Sequence, residues 1–371
     1  MQIAEDEDRE ELRRSVRRFL ADKAPAGEAR RWMETSQGYD PAVWRQAARQ
    51  LGLPAIAIPE EYGGAGFTFV EQAIVLEEMG RCLYGGPYLA SAVLATQALL
   101  ASSDEKAKHH HLPGIASGAT IATLAFAEDG GTWDGTATGL AARQDRGGWL
   151  LDGHKNFVID GGAADLLLVI GRTGAGLSMF AADGTAAGLR RTVLPTLDQT
   201  RKLALLEFDH VPAGLVGAEG EAAAILDTTL DIAALALAAE QLGGAQVALD
   251  AAVGYAKARH QFGRPIGSFQ AIKHRCADLL VEVESTRSAV AYGAWAAAEG
   301  SAEVPVVASL AQAYASEAFF HAAAANVQIH GGIGFTWEHD AHLYLKRAKS
   351  SELLLGDAAY HRERLAARIG I

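Results

Sequence analysis

Two stretches of the sequence place charged, amide and glycine residues at spacings that suit a bound dinucleotide. In the first, Ala258-Arg259-His260-Gln261-Phe262-Gly263-Arg264-Pro265-Ile266-Gly267-Ser268-Phe269-Gln270, one helical pattern ends in a Gly-Pro-Gly turn and another begins. In the second, Gln328-Ile329-His330-Gly331-Gly332-Ile333-Gly334-Phe335, a helical pattern runs into three glycines within four positions. Glycines at helix ends let backbone N–H groups approach a ligand closely, and Arg259 offers a planar fork to a pyrophosphate. Either stretch alone is also what a pair of capping turns looks like.

Other chemistries find no support. No Gly-x-Gly-x-x-Gly follows a strand-like run, which removes a Rossmann dinucleotide site, and neither a P-loop nor a His-Glu-x-x-His metal pattern occurs. His109, His110 and His111 are consecutive, a poor arrangement for converging on one ion, and read as a solvated run. Cys82 and Cys276 are too few for a disulfide framework and too far apart for a redox or zinc spacing. With 33 basic against 45 acidic residues the net charge is −12, which argues against a nucleic-acid or anionic-membrane surface but leaves anionic small ligands open to local arginines. The apolar stretch Ile232 to Ala239 stops at Glu240, short of the roughly 18 residues that cross a bilayer. The acidic start lacks an apolar signal region, so a cytoplasmic protein is expected.

The elements that must carry these stretches read as α, then β, then α. Apolar residues at Ile3, Leu12, Val16, Phe19 and Leu20 predict an amphipathic helix up to Lys23. Asp40 and Pro41 announce a second helix closing at Gly52, and Phe69 to Met79 and Tyr88 to Leu100 are again helical. From Ala119 to about Pro212, short β-rich runs such as GWLLDG, NFVIDG, DLLLVIG and LALLEFD alternate with the turn clusters DGG, DRGG, DGH and ADG. Leu230 to Arg259, Ser268 to Gly300, Val304 to His330 and Asp340 to Ala366 are four long alanine-rich segments, enough for a bundle.

Over essentially its whole length the sequence resembles the acyl-CoA dehydrogenase family. The resemblance rests on PEEYGGAG at 59–66, ARHQFGRPIGSFQAIKH at 258–274 and QIHGGIGFTWEHD at 328–340, with LDGHKNFVIDG at 151–161 a weaker match. It implies an α+β multidomain fold: an N-terminal α-helical domain (1–118), a middle antiparallel β-barrel or sandwich (119–215) and a C-terminal four-helix bundle (216–371). The implied reaction is FAD-dependent α,β-dehydrogenation of an acyl-CoA thioester to the trans-2-enoyl-CoA, with electrons passed to an electron-transfer flavoprotein. A carboxylate removes the α-proton, the β-hydride goes to the flavin, and hydrogen bonds to the thioester carbonyl acidify the α-carbon. By the same resemblance Arg259, Phe262 and Gln270 would contact the FAD of a neighbouring subunit, and Gln328 and Gly332 its ADP portion.

The sequence departs from the family at the reacting centre. The triplet that usually carries the catalytic glutamate is Leu355-Gly356-Asp357, and the second family position for the base falls near Ala233. Two acids remain as candidate bases: Glu240, seven residues and about 10.5 Å along the same helix from Ala233, and Asp357. On the flavin-facing side the family's Thr-Glu-Pro stands as Ala127-Glu128-Asp129 and its Trp-Ile-Thr as Phe157-Val158-Ile159. Glu128 and Ile159 would then face the cofactor without the two threonine hydroxyls. Gly243, Gly244 and Ala245 would either widen an acyl pocket or pack helices closely. Three readings follow: a homotetrameric dehydrogenase with a relocated base; the non-catalytic subunit of a heterotetrameric enzyme acting on bulky, steroid-derived acyl-CoAs; or an acyl-CoA or flavin binder without turnover.

Overall fold

The computed structural model of the chain describes residues 7–145 and 147–371. Ile3, at the head of the first expected helix, lies outside the described residues. Along the chain come α1 (Glu7–Lys23), α2 (Ala26–Met33), α3 (Pro41–Leu51), α4 (Phe69–Arg81), α5 (Thr96–Ala101) and α6 (Glu105–Ala116). The strands β1 (Ala122–Ala125), β2 (Ala141–Asp145), β3 (Gly148–Ile159), β4 (Leu166–Thr173), β5 (Gly176–Asp183), β6 (Leu189–Val193) and β7 (Leu203–Val216) follow. The rest is α7 (Ala222–Ala258), a short hairpin β8 (His260–Gln261) and β9 (Arg264–Pro265), then α8 (Gln270–Ala298), α9 (Val304–His330), α10 (Ala341–Leu353) and α11 (Ala358–Ile369).

These elements divide into two compact units. One holds the described residues up to 29, residues 69–84 and residues 234–371; the other holds 30–68 and 85–233. By this division α1 and α4 fall in the first unit and α3, α5 and α6 in the second. Charge explains why α4 sits with the bundle helices. Glu77 of α4 accepts from Arg13 of α1 at 2.7 Å and from Arg287 of α8 at 2.9 Å, and Glu78 accepts from Arg17 at 2.7 Å. Burial works to raise the Glu77 carboxyl, but Arg13 and Arg287 outweigh it and hold it below its ordinary value.

In the bundle unit, glycine sets the closest approach. A Cβ on Gly80 of α4 would lie 1.9 Å from the carbonyl oxygen of Glu240 on α7, and one on Gly243 would lie 1.9 Å from that of Glu77. The two glycines thus interlock backbone against backbone, and a Cβ on Gly244 would strike the Phe319 ring of α9 at 2.4 Å. Of the two roles open to Gly243 and Gly244, the structure gives them helix packing. At 37 residues α7 is long and apolar enough to cross a membrane, more so than Ile232 to Ala239 suggests, yet 78% of its apolar window is buried inside the protein. The expected fourth bundle helix breaks at 354–357, where Leu355 (φ 63°) and Gly356 (φ 107°) leave the helical region and Asp357 caps α11.

In the second unit the sheet closes on itself. β4 pairs with β2, β2 with β3, β3 with β7, β7 with β5, and β5 with β4 again, while β1 and β6 lie outside this ring on β4 and β7. The barrel is mixed rather than antiparallel throughout: β1 runs parallel to β4 over Ala122–Ala125, and β2 meets β4 in parallel at Ala141 and Arg172. Long connections allow this, since β1 is separated from its partner by two intervening strands. The DGH cluster at 152–154 is a register shift inside a continuous β3 and not a turn, and Gly153 (φ 135°) packs on Leu140. Ala125, Leu151, Leu167, Val169, Phe180 and Leu206 fill the interior.

Candidate functional site

Each candidate base is already engaged. Glu240 lies on α7 between Ala239 and Gln241 in a run with almost no solvent contact, and Arg347 of α10 donates to its Oε1 at 2.7 Å with 2% of the arginine side chain exposed. A buried carboxylate with a guanidinium on it is committed to that partner and shielded from solvent, a poor acceptor for a substrate proton. The neighbouring polar groups belong to the same layer: Gln241 donates to Gln312 at 2.9 Å. Asp357 uses its Oδ1 to cap α11, accepting from the Tyr360 N–H at 2.8 Å. Leu355 is buried, and its left-handed backbone is pinned by His361, whose Nε2 lies 3.1 Å from the Leu355 carbonyl. Burial pushes the His361 imidazole down to about 4, so it stays neutral and donates there. Ala233, on α7, is fully buried and inert.

The two glycine-rich stretches form one end of the bundle unit. Ala252 and Ala256 of α7 pack with Ile329 of α9, and Ile266 and Ile272 close over them. Phe262 and Gly263 make the two-residue turn between β8 and β9, and the Ile266 N–H returns to the Arg259 carbonyl at 2.8 Å. Arg259, Phe262, Gln270, Gln328 and Gly332 are all exposed, and among the described residues Arg259 has no acidic partner. A Cβ at Gly263, Gly331 or Gly332 would meet nothing, so the backbone there is open to an incoming group. An unspent guanidinium, exposed amides and an open glycine cradle fit the diphosphate and adenosine of FAD.

The flavin-facing positions of the barrel fit less well. Ala127 and Ile159 are buried and offer no side-chain donor. The Ala127 carbonyl accepts from the Asn156 N–H at 2.9 Å, and that of Ile159 accepts from Thr123 Oγ1 at 2.6 Å. Glu128, expected to face the cofactor, is spent inside the unit: it accepts from the Gly139 and Leu140 N–H groups at 2.8 and 3.0 Å and from Lys155 Nζ at 2.7 Å. Lys155 is fully buried, and burial pulls its ammonium down to about 8 against the pull of Glu128. Phe157 holds a positive φ of 55°, an unusual conformation for a bulky residue. A cavity of about 830 Å³ on the barrel is lined by Asp129, His154, Arg190 and Glu207, but these pair with one another, Arg190 with Glu207 at 2.8 Å and His154 with Asp129 at 3.1 Å. It presents little unspent charge.

Sequence reasoning missed Arg347, Lys155 and His361. A lysine inside a β-run and an arginine in a bundle helix carry no local sign of burial, because each partner is distant in sequence.

Residues 6–119 match the family description "Acyl-CoA dehydrogenase, N-terminal domain", and residues 223–370 match "Acyl-CoA dehydrogenase, C-terminal domain". The acyl-CoA dehydrogenase IpdE2 of Mycolicibacterium smegmatis is 39% identical over 98% of this chain and 99% of its own length. Among solved structures, a variant of the Tcur3481-Tcur3483 steroid ACAD superposes with a TM-score of 0.89 at 33% identity, covering 98% of each chain. The ChsE4-ChsE5 complex from Mycobacterium tuberculosis does so with a TM-score of 0.90 at 29% identity, covering 100% of this chain and 99% of the other.

Proposed function

The chain belongs to the acyl-CoA dehydrogenase family of FAD-dependent oxidoreductases, and from that premise we propose that it is the base-lacking subunit of a heteromeric acyl-CoA dehydrogenase. The observation that carries this reading is the condition of the carboxylates. Leucine stands where the family places its glutamate, Glu240 is locked to Arg347, and Asp357 caps a helix. Removing the α-proton of a thioester requires a free carboxylate near the substrate, and a positioned base contributes about 10²–10⁴-fold to rate. That base comes from a second subunit. Two of the similar structures are named as pairs of chains, one a steroid ACAD, which supports a bulky, steroid-derived acyl-CoA as the substrate.

When bound, FAD supplies the acceptor for the β-hydride. This chain's part is to hold the cofactor's polar end: Arg259 would pair with the diphosphate, Gln270 and Gln328 would offer their amides, and the Gly331–Gly332 backbone would let the nucleotide approach. The buried apolar Leu355 keeps the vacated base position dry. Electrons leave to an electron-transfer flavoprotein.

Purification tests this reading. The chain expressed alone is expected to be colourless or poorly soluble, and yellow when co-expressed with a base-bearing acyl-CoA dehydrogenase subunit. A yellow homo-oligomer of this chain, bleached by an acyl-CoA, would refute it in favour of the homotetramer.

A further inference from the structure

Three successive residues of β3 take hold of two successive acids. Asp129 accepts from Asn156 Nδ2 at 2.8 Å and pairs with His154 Nε2 at 3.1 Å, while Glu128, one residue earlier, accepts from Lys155 Nζ at 2.7 Å. A strand turns alternate side chains to opposite faces, so His154 and Asn156 grip from the solvent side and the buried Lys155 from the interior. Both acids stand near the start of the connection between β1 and β2, residues 126–140. Glu128 also binds the far end of that connection, accepting from the Gly139 and Leu140 N–H groups at 2.8 and 3.0 Å. Lys155 Nζ spans the same two ends, donating to the Phe126 carbonyl at 3.0 Å and to Thr138 Oγ1 at 3.4 Å. The ends are thus drawn together around one ion pair, the form of an Ω-loop.

The loop has a hinge and a braced tip. Gly130 and Gly131 follow the grip directly; a Cβ on either would meet nothing, and Gly131 holds a φ of 67°. At the tip, Asp134 Oδ1 accepts from the Thr136 N–H and Oγ1 at 3.0 and 2.7 Å, and Trp133 folds back on Phe126 with 6.0 Å between ring centres. Asp129 and His154 also line the barrel cavity, so the outer grip is part of the cavity wall.

We propose that residues 129–139 form a hinged flap on the wall of the barrel cavity, clasped shut by His154, Lys155 and Asn156, and that opening the flap takes up a proton on Lys155. The proton follows from what the flap covers. Closed, the Lys155 ammonium has lost its water; the charged groups facing it are Glu128, which favours the charge, and Arg172 of β4, which opposes it while donating to the Thr138 and Thr136 carbonyls. Burial outweighs Glu128 and brings the ammonium down to about 8 from the usual 10.5. Opened to water, Lys155 returns to the ordinary lysine range. Between these values the open loop holds the extra proton, so raising the pH through that range favours the closed loop. Neither Glu128 nor Lys155 acts on substrate in the base-lacking reading, so the flap stands or falls apart from it.

Hydrogen exchange of the full chain from pH 7 to pH 9, corrected for the intrinsic rate at each pH, tests the flap at the Gly139 and Leu140 amides. Their protection is expected to rise about tenfold over that range while staying below that of the slowest β4 and β5 amides. Lys155→Met removes the proton and is expected to make the protection independent of pH. Asn156→Ala loosens only the outer grip and is expected to lower protection at every pH while keeping the rise. A flat profile in the native chain, or a rise that survives in Lys155→Met, would overturn the proton linkage. Gly139 and Leu140 exchanging no faster than the slowest β4 and β5 amides would overturn the flap itself, a result read on the native chain even if Lys155→Met does not fold.

Discussion

Glu240 shows how a carboxylate that reads as a candidate base can be wholly committed to structure. Its burial was legible, since it sits alone in LALAAEQLGG; its partner was not, because Arg347 lies 107 residues away. Glu240→Ala would strand a buried guanidinium and is expected to cost about 3–5 kcal/mol in denaturant unfolding, whereas Glu240→Leu with Arg347→Met should be far milder. An equal cost for the single and double variants would show that the pair is not what matters there. His361 gives a pH signature. Unfolded, its imidazole takes a proton near 6.5; folded, burial holds that event down near 4. Between these values the unfolded state binds the extra proton, so stability falls as pH drops from about 6.5 to about 4, by about 3 kcal/mol in all. His361→Gln keeps a donor for the Leu355 carbonyl and should remove that part of the slope in pH-dependent unfolding.

At the scale of elements, the chain's own punctuation was readable wherever a single residue dictates it. Asp40 caps α3 by accepting from the Ala42 N–H at 2.7 Å, Pro41 opens the helix, and Gly52 (φ 61°) closes it. Short or continuous elements escaped. β2 and β6 are five residues each and mostly polar, α6 hides behind its histidine run, and the Gly153 bulge looks like a turn because both use glycine at positive φ. The Gly80–Gly243 crossing could not be read at all, since one glycine in each helix has meaning only when the helices touch. It yields the most severe steric expectation: Gly243→Ala should destabilise by about 3 kcal/mol or prevent folding, while Gly254→Ala on the same helix, where a Cβ meets nothing, should be neutral or slightly stabilising. Thermal unfolding of the two variants decides it.

For the molecule as a whole, family and layer order were visible in a few long motifs, because those motifs are dense in glycine and arginine that few other folds would arrange so. What stayed hidden was the sharing of the N-terminal helices between two units, which depends on α4 acids meeting arginines of α1 and α8. The engagement of the two candidate acids is likewise visible in sequence only as a departure at Leu355 and Ala233, and becomes physical once Glu240 is found on Arg347 and Asp357 on the Tyr360 N–H. Turnover tests that most directly: the purified chain, supplied with saturating FAD, a bulky acyl-CoA and an artificial electron acceptor, is assayed alone and again after mixing with a base-bearing acyl-CoA dehydrogenase subunit. Enoyl-CoA is expected only in the mixture. Product formed by this chain alone at a comparable rate, and lost in Glu240→Gln or Asp357→Asn, would contradict the base-lacking assignment.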